Sequence, residues 1–279
     1  MANAAAAAPA VTIMPANGAG REAAQRMLLD DHLHHLRLPT FVKNHAKFAE
    51  DAGQANHSYT QFLLALAEHE IAQRDRNRES QRIKGARFPA LKELADFDFS
   101  AVPQLNKTLV LQLARGEYLD AVESAILIGN PGLGKTHVSI GLALCACRQG
   151  HRVRFYNVAS LVNDLIAAQD RHQTERFIAS AAKHRLIVLD ELGFVPLTPL
   201  GAQLIFQFCS TLHEKVSFII STNLRFADWT QVFLSEQLTA ALLDRLTFRA
   251  HILEFSGESF RFKQRMRRHD KAAAKAEAA

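Results

Sequence analysis

Ala125-Ile-Leu-Ile-Gly-Asn-Pro-Gly-Leu-Gly-Lys-Thr-His137 is the stretch that decides the fold. Its centre, Gly129 to Thr136, fills the pattern G-x-x-x-x-G-K-[S/T] at every position. It directly follows a short apolar run that reads as a strand and directly precedes an apolar helical run from His137 to Arg148. Gly129, Gly132 and Gly134 let the backbone curl tightly enough to aim N–H groups at phosphate oxygens, and the helix N-terminus adds its positive dipole end. Asn130, Pro131 and Leu133 complete the loop, and His137 opens the helix. Lys135 is expected to reach the β- and γ-phosphates of ATP, and Thr136 to ligate Mg²⁺.

Outward from this loop, short apolar strands alternate with helical segments: Ala125–Gly129, Val153–Asn157, Leu186–Asp190, Phe218–Thr222 and Ile252–Phe255. That rhythm predicts an α/β fold with a parallel sheet covered by helices on both faces. Leu186-Ile-Val-Leu-Asp-Glu191 ends in two acids, which suits delivery of one carboxylate, Asp190, to the magnesium shell and another, Glu191, to the attacking water as catalytic base. Asn223 follows the next strand at the carboxyl edge, where ligands of open α/β sheets bind, and fits a sensor of the γ-phosphate or the water. Arg245 and Arg249 close the helix before the last strand. Arg245 is the first candidate, and Arg249 the fallback, for a guanidinium inserted into a neighbouring copy's site. The alternative for Arg245 is an internal pair with Asp244 or Asp228.

The N-terminal part reads differently. Residues 1–20 are alanine-rich and suggest a disordered tail without the charged start and bulky apolar core of a signal peptide. From 21 to 90 the pattern is helical: Arg21 to Leu38 (Met27, Leu28, Leu36), then Thr40 to Asp51 (Phe41, Val42, Phe48), separated by Pro39. A longer helix that Ser58 can cap carries Phe62, Leu63, Leu66 and Ile71, taken as one face, and turns basic through Arg74, Arg76, Arg78, Arg82, Lys84 and Arg87. Phe88-Pro89 ends it, Phe97 and Phe99 sit in a connector, and the core is expected over 91–262. A basic, low-complexity tail follows over 263–279, and the positive charge around it includes Arg261, Lys263, Arg265, Arg267 and Arg268. The two runs suit sequence-independent neutralisation of phosphates, and without interleaved aromatic residues they favour duplex DNA over a single strand.

Composition sets the outer limits. Hydrophobic residues make up 48% and charged residues 22% of the 279, enough to bury a core and too apolar for wholesale disorder. The net charge of +5 admits a polyanionic partner. Cys145, Cys147 and Cys209 have neither disulfide-framework nor zinc spacing and read as reduced core residues. No stretch approaches the roughly 20 apolar residues that span a bilayer, so no membrane partner and a cytoplasmic location are the expectation.

The motifs together resemble the IstB-like transposition helper ATPases of bacterial insertion sequences, AAA+ relatives of the DnaC helicase loader and the DnaA initiator. The resemblance runs from about Leu28 to Phe262. It rests on Ala86-Arg-Phe-Pro, Phe97-Asp-Phe, Gly129 to His137, Leu189-Asp-Glu-Leu-Gly193, Ser221-Thr-Asn-Leu224, Trp229, Leu238-Thr-Ala-Ala-Leu-Leu-Asp-Arg-Leu246 and Gly257-Glu-Ser-Phe-Arg261. It implies a small all-helical N-terminal domain on an AAA+ core without the usual C-terminal lid, ATP-dependent self-assembly on duplex DNA, and cooperation with a cognate transposase in target-site selection. Two positions depart from the family pattern: Leu133 stands where a small or polar residue is common, and Glu236 where aspartate is frequent. The alternative reading is a DnaC-like replicative helicase loader. A small-molecule P-loop kinase would leave Asn223 and Arg245 without a task.

Overall fold

The structure, a computed structural model, describes residues 19–257. The expectations for the tail over 1–20 and for the missing lid, the basic run Arg261–Arg268 and the tail over 263–279 fall wholly or almost wholly outside them. Backbone contacts divide the chain into two units, with the break between Asn77 and Arg78.

The first unit holds α1 (Ala19–His35), α2 (Pro39–Gln54) and the start of α3 (Tyr59–Ala86). Pro39 does more than separate two runs, because it occupies the first turn of α2, where its missing N–H costs nothing. The next amide, Thr40 N, donates to the buried carboxylate of Glu70 at 3.0 Å, so a residue of α3 caps the N-terminus of α2. Ser58 does cap α3: its hydroxyl accepts from Gln61 N at 3.3 Å while the Gln61 side chain accepts from Ser58 N at 2.8 Å. The apolar face proposed for α3 needs correction. Leu66 is buried and Phe62 partly so, but Leu63 and Ile71 are exposed. At about 100° per residue they lie roughly 100° and 180° around the helix from Phe62, so the four never shared a face. Met27 and Leu28 of α1, and Leu36 just after it, are exposed as well.

The second unit begins inside α3 and not near residue 90, because the last turns of that helix pack on the core that follows. Ala86 is fully buried, Ile83 and Phe88 lie against the same cluster, and Arg82 Nε donates to Cys147 O at 2.7 Å. Two tight turns, Leu94–Asp96 and Phe99–Ala101, lead to α4 (Lys107–Leu113) and α5 (Glu117–Asp120). Then come β1 (Ser124–Gly129), α6 (Lys135–Arg148), β2 (Val153–Asn157), α7 (Val158–Asp170), α8 (Thr174–Ala181) and β3 (Leu186–Leu192). The order continues with α9 (Pro199–Leu212), β4 (Ser217–Thr222), α10 (Thr230–Phe233), α11 (Glu236–Thr247) and β5 (Ala250–Phe255).

All five strands run parallel in the order β2-β3-β4-β1-β5. Alternation along each strand divides the core. Leu186 and Val188 of β3 and Ile219 of β4 face the layer containing α6, while Ile187, Leu189, Phe218 and Ile220 face the layer of α7, α9 and α11. A parallel sheet sends every strand's carboxyl end to one edge, so the polar residues ending β1, β2, β3 and β4 emerge together. The cysteines behave as core residues: Cys147 and Cys209 are buried, and burial pushes their thiols up to about 11 and about 12.

Candidate nucleotide site

The loop after β1 needs glycine where its backbone turns left-handed. Gly134 has φ +91°, and a Cβ there would stand 2.6 Å from the Phe97 ring. Gly134 is also the N-cap of α6 and offers no side-chain cap, so the first N–H groups of α6 are left to a ligand. Lys135 Nζ donates to Gly129 O at 2.6 Å and Asn130 O at 2.9 Å, which holds the ammonium across the loop. Leu133, the unusual residue of the motif, is 2% exposed and belongs to the core cluster with Val102, Leu105 and Phe255. Its side chain anchors the loop and leaves the phosphate-facing backbone clear.

Opposite the loop, β3 breaks its regular register with β4 between Leu189 and Leu192, and Glu191 takes φ +62°. Asp190 is 5% exposed. Its carboxylate accepts from Thr136 Oγ1 at 3.0 Å and from the Ser221 hydroxyl. Burial pushes the Asp190 carboxyl above its ordinary range, helped by the nearby charge of Glu191; the hydrogen bonds from Ser221 and Thr136 and the charge of Lys135 act against that rise. Glu191, one residue on, is exposed, and its carboxylate accepts from Asn157 Nδ2 at 2.8 Å. Its own N–H donates to Ser221 Oγ at 3.0 Å. The Thr136 hydroxyl and the Asp190 carboxylate make an adjacent pair of hard oxygen donors, the kind that holds Mg²⁺ together with phosphates and water.

These groups line one cleft of about 650 Å³, with Lys135, Thr136, His137, Glu191, Ser221 and Asn223 on its walls. The structure therefore brings together the loop, both acids and Asn223. Three contributors were not singled out from the sequence. Ser221 ties Asp190 to the backbone of Glu191, and Asn157 grips the Glu191 side chain. The third is the connector: Pro89, Asp96, Phe97 and Val102 wall the cleft, and His137 Nε2 lies 2.7 Å from Glu93 O with its ring edge-on to Phe97. The Phe97-Asp-Phe99 pattern was the available signal, since paired aromatic residues between acids are unusual in a mere linker.

The arginines sit elsewhere. Arg245 lines a second, smaller hollow of about 200 Å³ with Ser124, which begins β1, and Phe218, the second residue of β4, so it lies at the sheet edge away from its own loop. Its guanidinium donates to Ala241 O at 2.7 Å and lies over the Phe206 ring, and no ion pair joins it to Asp244 or Asp228 among the described residues. Exposed Arg249 stacks on Phe248.

The basic run of α3 is only partly available to a ligand. Arg74 is paired with Glu70 at 2.6 Å, Arg76 bonds Gln73 at 3.1 Å, and Arg82 caps the carboxyl end of α6. Arg78 and Lys84 are exposed.

The family described as IstB-like ATP binding protein matches residues 31–268. A relative named as an ATP-binding protein of insertion sequence IS21 from Pseudomonas aeruginosa is 35% identical over 216 residues, 77% of this chain and 82% of its own. Another, named for insertion sequence IS5376 of Geobacillus stearothermophilus, is 29% identical over 243 residues, 87% of this chain and 97% of its own. Among solved structures, AMPPCP-bound DnaA from Aquifex aeolicus gives a TM-score of 0.51 at 18% identity, over 63% of this chain and 53% of that one. The crystal structure of DnaI gives 0.50 at 15% identity, over 59% and 91%. At those identities the structures show a shared fold.

Proposed function

Because the chain belongs to the family of IstB-like ATP-binding proteins, we propose that it is an ATPase that assembles with ATP and Mg²⁺ on duplex DNA and assists a transposase in choosing its target. The observation that carries the catalytic part is the convergence of Thr136, Asp190 and Glu191 at the mouth of the loop. Backbone N–H groups of 132–136 and the Lys135 ammonium take the phosphates, holding the terminal one in line for attack. Thr136 and Asp190 would hold Mg²⁺, whose charge would there offset that of the phosphates. Glu191 accepts the proton of the attacking water, and Asn223 orients that water from the next strand end.

One oxygen of Glu191 is occupied by Asn157 in the structure, so full use of the base requires that bond to be given up or shared. In this reading Arg245 serves a neighbouring copy, and its distance from its own loop supports that role. Glu191→Gln tests the assignment. The amide keeps the shape of the side chain and loses the base, so ATP binding should persist while hydrolysis falls by about 10² to 10⁴. Wild-type turnover in this variant would leave Glu191 as no more than the end of a strand.

A further inference from the structure

The sheet edge opposite the nucleotide cleft carries a group of cations that the site chemistry does not use. Arg152 precedes β2, and Lys183, His184 and Arg185 precede β3. Because β2 and β3 pair in register from Val153 and Leu186, these lead-in segments lie side by side, with Arg185 N donating to Arg152 O at 2.8 Å. Arg154, one residue into β2, donates to Gly85 O at 3.2 Å and lies over the Tyr156 ring. Arg87 is near enough to influence the same tyrosine. Burial holds the His184 imidazole below its ordinary range, and the charges of Arg154 and Arg152 add to that, a sign of how closely the cations are packed.

Among the described residues little compensates this charge, the nearby acids being Asp120 and Asp164. Partly buried Arg185 meets exposed Asp120 at 3.6 Å, a long contact of small worth. Arg152 and Lys183 are exposed and make no ion pair among the described residues. Arg74 and Arg82 of α3 are by contrast engaged, as Arg154 is through Gly85 O, so Arg152 and Lys183 are the most open cations of the group. Guarding the free edge of β2 against strand pairing would account for Arg154 alone. It gives no reason for Lys183 and Arg185, because β3 is covered on both sides by β2 and β4.

We propose that Arg87, Arg152, Arg154, Lys183 and Arg185 form a docking surface for the phosphate backbone of duplex DNA. The proposal rests on the reading that this protein binds duplex DNA, and it says where. Contacts of this type fix position without reading bases. The one aromatic ring of the patch, Tyr156, is covered by Arg154, so bases have no platform to stack on and a single strand is the poorer ligand. Arg245 lines the hollow at the starts of β1 and β4, and Arg185 O accepts from Ser217 N at 3.1 Å where β4 begins, so the patch and Arg245 share one edge of the sheet. DNA on the patch leaves the cleft at the opposite edge open to nucleotide.

The test is the triple variant Arg152→Gln, Lys183→Gln, Arg185→Gln, titrated against a fluorescently labelled mixed-sequence duplex over a range of salt concentrations. Losing three phosphate contacts at about 0.9 each should flatten the slope of log K against log salt by about 3, and weaken binding on the order of 100-fold near 0.15 M salt. ATP affinity should stay at the wild-type value, which also reports that the variant is folded. A double variant, Arg152→Lys with Arg185→Lys, keeps the charges and should retain most of the affinity. A glutamine variant with the affinity and slope of wild type overturns the patch while leaving DNA binding intact. So does a lysine variant that loses as much as the glutamine one. A wild-type protein that binds no duplex overturns the patch and the DNA reading together.

Discussion

Replacing Ser221 by alanine removes one hydroxyl that serves two groups at once, and its effect should depend on pH in a definite direction. Ser221 is buried, donates to the Asp190 carboxylate and accepts from the Glu191 N–H. The main loss is the hydrogen bond to the buried Asp190 carboxylate, about 1.5 to 3 kcal/mol. For a unit of this size that is roughly 3 to 12 °C in Tm. The Asp190 carboxyl is already raised in the folded protein from an ordinary value of 3.8. The folded state therefore keeps this proton longer than the unfolded state, and stability falls as pH rises from the unfolded value through the folded one. Alanine at 221 removes a contact that opposes the rise, so the folded value climbs further and the penalty extends to higher pH. The Tm deficit against wild type should be small near pH 4, widen as pH rises, and level off once Asp190 is ionised in both proteins. Thermal melts followed by Trp229, the single tryptophan and buried, would read it. Mg²⁺ with ATP should narrow the deficit, since a cation beside Asp190 offsets the lost donor. A deficit of equal size at low and high pH would refute the argument from charge, and no deficit at all would refute the hydrogen bond.

Asn157→Ala frees the second oxygen of Glu191, so basal hydrolysis should rise several-fold, toward tenfold if the bond is worth about 1.4 kcal/mol, with ATP affinity unchanged; a fall in single-turnover rate would show that Asn157 aims the base and does not restrain it. His137→Ala releases the Glu93 carbonyl and the edge of Phe97, and should weaken ATP binding by about 5- to 10-fold with kcat little altered; an unchanged Kd in a fluorescent-nucleotide titration rules out the latch. Arg245→Ala should bind ATP normally yet hydrolyse about 10³-fold or more slowly, and mixing it with Lys135→Ala protein should restore part of the activity. Normal hydrolysis by Arg245→Ala, or an inactive mixture of proteins that demonstrably co-assemble, would return Arg245 to a local role over Phe206.

What could be read in the sequence was local. Five strands end within a few residues of where their apolar runs end, because a strand covered on both faces announces itself as a continuous apolar segment bounded by polar residues. The phosphate loop is legible for the same reason, with every residue it needs contiguous. The site contacts that were missed join distant residues. Asn157 and Glu191 are 34 positions apart, Ser221 and Asp190 are 31, and His137 and Glu93 are 44. The basic run on α3 reads as uniformly available in the sequence, and only packing reveals that Arg82 bonds the end of α6. The α3 face failed on simple geometry, since four apolar residues within one helix do not share a face unless their spacing follows its turn.

The irregularity in β3 shows why two adjacent acids can serve one site. In a regular strand, neighbouring side chains point to opposite faces, so an Asp-Glu pair would send one carboxylate into each helical layer. Here the left-handed Glu191, at φ +62°, shifts the register, and Leu192 pairs with Thr222 where regular pairing after Leu189 would place it further along. Asp190 keeps the inward direction of the strand and meets Thr136, while Glu191 swings to the rim and meets Asn157. A non-glycine residue in that region costs about 1 to 2 kcal/mol, and the surroundings hold it there: Ser221 takes the Glu191 N–H, and the turn closes through Phe194 N to Glu191 O at 3.2 Å. Glycine at 191 would relieve the backbone at the expense of the base. The strain and the carboxylate are therefore located in the same residue, and Ser221 supports both, through the backbone of Glu191 on one side and the carboxylate of Asp190 on the other.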